Sequence, residues 1–218
     1  MQRINAFFEI LDRIVSLTGR SVLEVGCGDG KRSIELAERC KFLTAIDPDT
    51  AKIHLANKHA LKNAIFEVGS AEQLPFLESQ FDVVCYTVSF HHIPIRHMQR
   101  ALREAVRVLR PNGLIIFYEL GQPGTQEEAK ERFGSASDEH CFPQPAIEAI
   151  KHFPQLKIIH DLQYDTFFVY DSADDFLTSV EATQHQSGAN VFLRAHRYRL
   201  QSKRRILVAQ PTDLDARA

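Results

Sequence analysis

"VLEVGCGDGKRSIELA", residues 22–37, sets a short apolar run against a turn with glycines at 26, 28 and 30, then continues with apolar residues at helical spacing. Such a passage reads as a buried strand, a tight turn and a helix. Glycines on alternate positions let a ligand come close to the backbone, because no Cβ stands in its way. The stretch therefore reads as a binding loop.

The neighbouring sequence repeats the same alternation. Strands are predicted at 21–25, 42–46, 64–68, 81–87 and 113–119, with helices near 31–39, 48–60 and 95–109. Short Val/Ile/Leu/Phe-rich runs alternating with helix-length segments predict βαβ units around a parallel sheet covered on both faces. The helix at 48–60 is read as opening on Pro48 and Asp49, where a missing donor and an acid both suit a first turn. The helix before the fifth strand is read as stopping in "RPNG", at Pro111. Upstream, "MQRINAFFEILDRIVSL" carries Arg3, Glu9, Asp12 and Arg13, so it makes neither a secretory signal nor a membrane span. Its apolar residues Ile4, Phe7, Phe8, Leu11, Ile14 and Val15 predict one amphipathic helix within residues 1–20. Beyond Leu120 the regularity fails. Residues 120–145 read as a loop with at most one short helix, followed by a helix at 146–153, a strand within 156–170, a helix at 173–182, a last strand at 204–209 and a frayed end at 211–218.

With 218 residues, 44% of them hydrophobic, the chain is expected to be a single domain over 1–218. Within it, 1–20 is the N-terminal helix, 21–119 the ligand-binding core and 120–203 the substrate-side insertions and sheet completion. A formal charge of −2 argues against a surface given over to nucleic acid or anionic lipid. Cysteines at 27, 40, 85 and 141 show no metal-binding spacing, so no metal is expected and the reducing cytoplasm is the expected compartment.

Two ligand classes compete for the glycine turn. A dinucleotide loop would read GxGxxG, with a third glycine where this chain has Lys31. Here the run is GxGxG, preceded by Glu24, an acid that would repel a pyrophosphate and suit an ammonium group. Asp47 closes the second strand where a carboxylate can accept both hydroxyls of a ribose. One ligand carrying a ribose and an ammonium satisfies both positions, and a nicotinamide oxidoreductase fails on the glycine spacing.

"VLEVGCGDGK", "AIDPD", "GSAEQLPFLESQFDVV", "SFHHIP" and "ALREAVRVLRPNGLIIF" occur in that order. They resemble the successive motifs of class I S-adenosylmethionine-dependent methyltransferases, and the nearest likeness is to the small-molecule group, methyltransferase type 11-like. The resemblance covers about residues 21–119. It implies an α/β, Rossmann-like, doubly wound sheet of seven strands in the order 3-2-1-4-5-7-6, with strand 7 antiparallel. It further implies S-adenosylmethionine as donor, S-adenosylhomocysteine as product and a small-molecule acceptor methylated at O, N or C; a monomer or homodimer is expected, and composition argues against membrane and nucleic-acid partners. Carried over by position, Glu24, Gly26 and Gly28 would hold the methionine portion, Asp47 the ribose, Pro48 the adenine side, Ser70 and Ala71 the adenine edge, and Tyr86 and Thr87 the sulfonium side. Relatives often place Asp where this chain has Ser70, which loses charge assistance to the adenine amino group.

Methyl transfer from a sulfonium is an in-line displacement whose donor is already activated. Alignment alone can supply effective molarities of roughly 10⁵ to 10⁸ M. If a base is used, His91 or His92 is the candidate; otherwise one packs beneath the donor and the other caps the next turn. Phe7, Phe8, Phe133, Phe142, Phe167, Phe168, Tyr170 and Phe176 read either as an acceptor wall or as plain core. The basic run 194–205 reads either as an anion clamp or as a solvated helix face. The rival to an enzyme is a silent partner subunit that keeps the donor pocket.

Overall fold

A computed structural model describes residues 2–4, 6–134, 143–180 and 186–212. In chain order the elements are β1 (Gln2–Ile4), α1 (Phe7–Ile14), β2 (Ser21–Val25), α2 (Lys31–Arg39), β3 (Phe42–Asp47), α3 (Thr50–Asn57), β4 (Ala64–Val68), β5 (Phe81–Thr87), a 3₁₀ turn (Phe90–His92), α4 (Ile95–Val108), β6 (Leu109–Leu120), α5 (Thr125–Phe133), α6 (Gln144–Lys151), β7 (Leu156–Val169), α7 (Ala173–Ser179), α8 (Gln186–Ala195) and β8 (Arg199–Pro211).

The strands form one sheet in the order β1-β7-β8-β6-β5-β2-β3-β4. Leaving out β1, this is the expected 3-2-1-4-5-7-6 arrangement of the α/β methyltransferase fold. The pairs β2–β3, β2–β5, β3–β4 and β5–β6 are parallel. The last strand runs the other way. Gly121, just past β6, donates to Lys203 near the start of β8, and Thr212, just past β8, donates to Gln155 just before β7. Burial explains the central positions. β2, β3 and β5 are largely apolar and closed to solvent along nearly their whole length, whereas β4 buries only Phe66 and stands at an edge.

Several expectations need correction; α4 ends at Val108, before the "RPNG" stretch, which belongs to β6, and the last strand begins at Arg199. The N-terminal segment is not one helix: Gln2–Ile4 pair antiparallel with β7, opposite Phe167–Val169, and the helix begins only at Phe7. The helix predicted from Pro48 begins at Thr50, because the Asp49 carboxylate caps it by accepting from the N–H groups of Ala51 and Lys52 at 2.8 and 3.2 Å. The loop after β6 contains α5, within what was allowed, but α8 was not anticipated. The basic run 194–205 is not a helix face, since it leaves α8 after Ala195 and runs into β8 from Arg199. The expected frayed end lies outside the described residues from 213 onward, as does Phe142.

The chain groups into two compact units. One holds residues 8–119, 142–162 and 206–218. Its core runs from Leu23, Val25 and Ile46 through Tyr86, Phe90 and Phe117 to the buried stripe of α4, where Met98, Ala101, Leu102, Ala105 and Val108 recur at helical spacing. Tyr86 stacks on Phe117 at 5.2 Å and both meet the edge of Phe90. Such ring pairs add about 0.5–1.5 kcal/mol each beyond their buried area.

The other unit holds residues 1–7, 120–141 and 163–205. It has its own apolar centre of Tyr170, Phe176, Phe192 and Leu193, against which Phe133 and Phe168 pack. These aromatics are core in their own unit. Part of the basic run is spent here too: Arg199 lies 3.8 Å over the Phe167 ring, and the buried Arg204 sits 3.9 Å from Glu127. Among the described residues no helix is long and apolar enough to cross a membrane.

Candidate active site

β2 hands the chain to the glycine turn at Val25, and the turn is strapped to the end of β3. The N–H groups of Gly26 and Cys27 both donate to the Ile46 carbonyl, at 2.8 and 3.0 Å, and the Gly28 N–H donates to Asp47 Oδ2 at 2.8 Å. Gly26 and Gly28 both have positive φ, but they are glycine for different reasons. A Cβ on Gly26 would stand 2.5 Å from the Cβ of Ser89, whose hydroxyl donates to the Val25 carbonyl at 2.6 Å. A Cβ on Gly28 would meet no atom within 4 Å. It would project into open space beside a cleft of about 690 Å³, a usual size for a small-molecule site.

Asp47 lies at the mouth of this cleft, at the carboxyl end of β3. Its Oδ2 takes the Gly28 bond and its Oδ1 accepts from the Asp49 N–H at 3.0 Å, so one carboxylate joins the glycine turn to the start of α3. A carboxylate has about four acceptor sites. Two backbone bonds therefore leave it able to accept hydroxyls from a ligand.

Glu24 behaves differently. It is fully buried, it does not line the cleft, and its two oxygens accept from Ser33 Oγ and Thr87 Oγ1, each at 2.5 Å. Burial pushes its carboxyl pKa up, against the pull of those two hydroxyls and of the Arg32 charge. Glu24 thus ties α2 and β5 to β2 from beneath the loop. The reason is local: the Thr87 side chain points to the same face of the sheet and competes for the acid.

Across the cleft the chain leaves β5 through Val88, a β-branched residue held at φ +61° by an N–H bond to the Tyr118 carbonyl at 2.6 Å. It then enters the 3₁₀ turn, where the adjacent histidines part. His91 is buried, and its Nδ1 donates to Glu119 Oε2; the other oxygen of Glu119 accepts the Phe90 N–H at 2.9 Å. Glu119 is itself fully buried at the end of β6. His92, its ring 4.1 Å from that of His91, lines the cleft. Desolvation, with the neighbouring His91 and Lys52, pulls the His92 pKa below 6.5 against the opposing pull of Glu119 and Asp47.

The sign has two consequences. The fold prefers neutral His92, so its contribution to stability is present above the unfolded value of 6.5 and fades as pH falls from there through the lower folded value. At neutral pH the ring is uncharged, the form a general base needs. An NMR titration of the His92 ring is expected to give a midpoint below 6.5; a midpoint at or above it would contradict this environment.

The thiols among the described residues are unsuited to nucleophilic work. Burial, with Glu24 and Asp47 nearby, pushes the Cys27 thiol far up, and burial raises Cys40 to about 11. Among the described residues no group of three or more His, Cys, Asp or Glu is placed to hold a metal ion.

Residues 23–117 match the model of a methyltransferase domain family. That stretch is a methyltransferase domain. Its sequence relatives include phthiotriol/phenolphthiotriol dimycocerosates methyltransferase of Mycobacterium tuberculosis, 40% identical over 138 residues, covering 62% of this chain and 50% of that protein. They also include 27-O-demethylrifamycin SV methyltransferase of Amycolatopsis mediterranei, 33% identical over 114 residues, with 48% and 41% covered. The chain spans about half the length, or less, of these curated relatives. A solved structure from Bacillus halodurans C-125 shares the fold at a TM-score of 0.69 with 15% identity, over 94% of this chain and 98% of that one.

Within the methyltransferase domain the structure brings Gly26, Gly28, Asp47, Pro48, Ser70, Ala71, Tyr86 and Thr87 to the cleft wall, together with His92. Glu24 and His91 stand behind that wall. The side chains of Tyr86 and Thr87 are buried away from solvent, so these two border the cleft without offering an open side chain. Sequence reasoning missed Arg32, Lys52 and Glu119. The first two carried a signal, since each follows a loop singled out for binding by one turn of helix.

Proposed function

We propose that the chain transfers a methyl group from S-adenosylmethionine to an oxygen, nitrogen or carbon of a small-molecule acceptor. The observation that carries this reading is the cleft above Gly28, open where a Cβ would stand and bordered by the Asp47 carboxylate. That combination fits a nucleoside with an amino-acid tail: the bare turn admits the tail closely and Asp47 accepts the ribose hydroxyls. The bound donor supplies a methyl group on a positively charged sulfur, already activated for displacement. Glu24, Gly26 and Asp47 hold the turn in shape, and Pro48, Ser70 and Ala71 border the adenine side.

His92 faces the same space, neutral at working pH, and accepts the proton of an acceptor hydroxyl or amine that needs one. His91 and Glu119 fix the turn that aims it. Val88, Ile93 and Pro94 give the acceptor side an apolar lip. The relatives named for phthiotriol dimycocerosates and for 27-O-demethylrifamycin SV support a small-molecule acceptor rather than a nucleic acid.

The test is mass spectrometry of the purified protein incubated with isotopically labelled S-adenosylmethionine and a metabolite extract. The expected result is at least one product carrying the labelled methyl and stoichiometric S-adenosylhomocysteine. Donor binding with no labelled product across a broad screen would favour a silent partner subunit.

A further inference from the structure

The outer face of α4 carries a row of cations. Arg96, Arg100, Arg103 and Arg107 recur at steps of four, three and four residues, which sets them on one side of the helix and spreads them over about 16 Å. The opposite side, with Met98, Ala101, Leu102, Ala105 and Val108, is buried in the core. Arg107 is spent within the fold: it pairs with Glu104 at 2.8 Å and donates to the carbonyls of Phe76 and Leu74 at 2.9 and 3.1 Å. Arg100 and Arg103 are exposed and, among the described residues, form no ion pair. With Arg107 they wall a groove of about 510 Å³ that Val106 and Gln155 also line. Two apolar side chains bracket the row. Ile95, 68% exposed, stands at its start, and Leu77, 80% exposed, follows the Phe76 carbonyl that Arg107 holds.

We infer that this face of α4 docks an acidic helix of a protein partner. One exposed ion pair contributes little, but a helix whose carboxylates repeat at the same steps lays several in register at once. Each guanidinium offers a planar fork that matches a carboxylate, and Ile95 and Leu77 give the partner apolar ground at both ends of the row. An anionic bilayer is a poorer match. Surface helices hold to lipid by inserting an apolar face, and that face of α4 is already buried, while Glu78, an exposed acid whose charge reaches Arg107, would meet the headgroups. Nucleic acid is poorer too, because the chain carries a formal charge of −2 and phosphates would gain nothing from Ile95 and Leu77. The row begins just after Pro94, which lines the cleft, so the partner would lie beside the cleft mouth. The docking face stands apart from the reading of what the cleft binds.

The experiment is an NMR titration of the isotopically labelled full chain with a synthetic alanine-based helix whose glutamates are spaced four, three and four residues apart, read on the Nε–Hε signals of Arg100 and Arg103. The expected result is saturable movement of both signals that weakens as salt is added. An isomeric peptide with the same glutamates at every second position should bind about tenfold more weakly, and the variant Arg96→Gln/Arg100→Gln/Arg103→Gln should weaken the matched helix by about the same factor. A control of equal charge, Lys41→Gln/Lys58→Gln/Lys62→Gln, removes exposed lysines elsewhere and should change the affinity less than about twofold. Motionless arginine signals, equal binding of the two peptides, or an equal loss in the lysine control would overturn the inference. Phosphatidylglycerol vesicles or duplex DNA that bind through the same arginines more tightly than the matched helix would overturn it as well, giving the face to a membrane or to nucleic acid. S-adenosylhomocysteine affinity should be the same in the arginine variant and the native protein, so a failed donor site and a failed docking face are read separately.

Discussion

Replacing Glu119 by alanine is expected to cost about 3 kcal/mol or more of folding stability, since two buried donors lose their acceptor at roughly 1–3 kcal/mol each. Those donors are the Phe90 N–H and the His91 ring, both closed to solvent and both aimed at this one carboxylate. For a chain of this length each kcal/mol moves the melting temperature by roughly 2–4 °C, so the fall should be on the order of 6–12 °C. Glu119→Gln keeps one acceptor oxygen and should lose about half as much. A melting temperature within about 2 °C of native for Glu119→Ala would show that the pair is not braced as described. Because the Glu119 charge holds the His92 pKa up against desolvation, the variant should also move the His92 titration midpoint further below 6.5.

Gly28→Val is expected to separate binding from folding. A Cβ there meets no protein atom within 4 Å, so the folding cost lies chiefly in the left-handed backbone, about 1–2 kcal/mol. It fills the space beside the cleft, and S-adenosylhomocysteine affinity should fall about 100-fold or more, some 2.7 kcal/mol. Gly26→Ala makes the opposite trade. Its Cβ would collide with Ser89, which adds a packing cost of roughly 1–3 kcal/mol to the backbone strain. A Gly28→Val protein that folds and binds S-adenosylhomocysteine like the native one would show that the ligand does not lie over this turn.

Much of the core was legible because its signals are local. Ser21–Val25, Ala64–Val68 and Phe81–Thr87 are short apolar runs bounded by turn residues, and Lys31–Arg39 follows a glycine turn at helical spacing, so periodicity placed each of them at its observed ends. The misses have a different physics. Gln2–Ile4 form a strand only because β7 offers them an edge, which three residues of sequence do not announce. β8 does alternate, but Ser202 and Arg204 share the buried face with Leu200 and Ile206. A period of two written partly in polar letters is invisible to a search for apolar ones. α8 is interrupted by Gly188 and Asn190, poor helix formers, and owes its helix to packing of Ala189, Phe192 and Leu193 in its unit's core.

The cleft divides in the same way. The place of Gly28 and Asp47 on its wall was readable because backbone approach and a strand-end carboxylate are properties of single positions. Glu24 was assigned to the ligand because sequence places it beneath the loop but is silent on Ser33 and Thr87, each of which donates to one of its oxygens. Glu119 went unread although an acid closing a buried apolar strand is costly unless something pairs with it. Its partners lie 28 and 29 residues away, and only the fold brings them together.

The most direct test is the crystal structure of this protein grown with saturating S-adenosylhomocysteine. The predicted result is density for the nucleoside in the cleft above Gly28, with both ribose hydroxyls within hydrogen-bond distance of the Asp47 carboxylate. A cleft without the ligand at saturation, or a ligand whose ribose is held by other residues, would contradict the account.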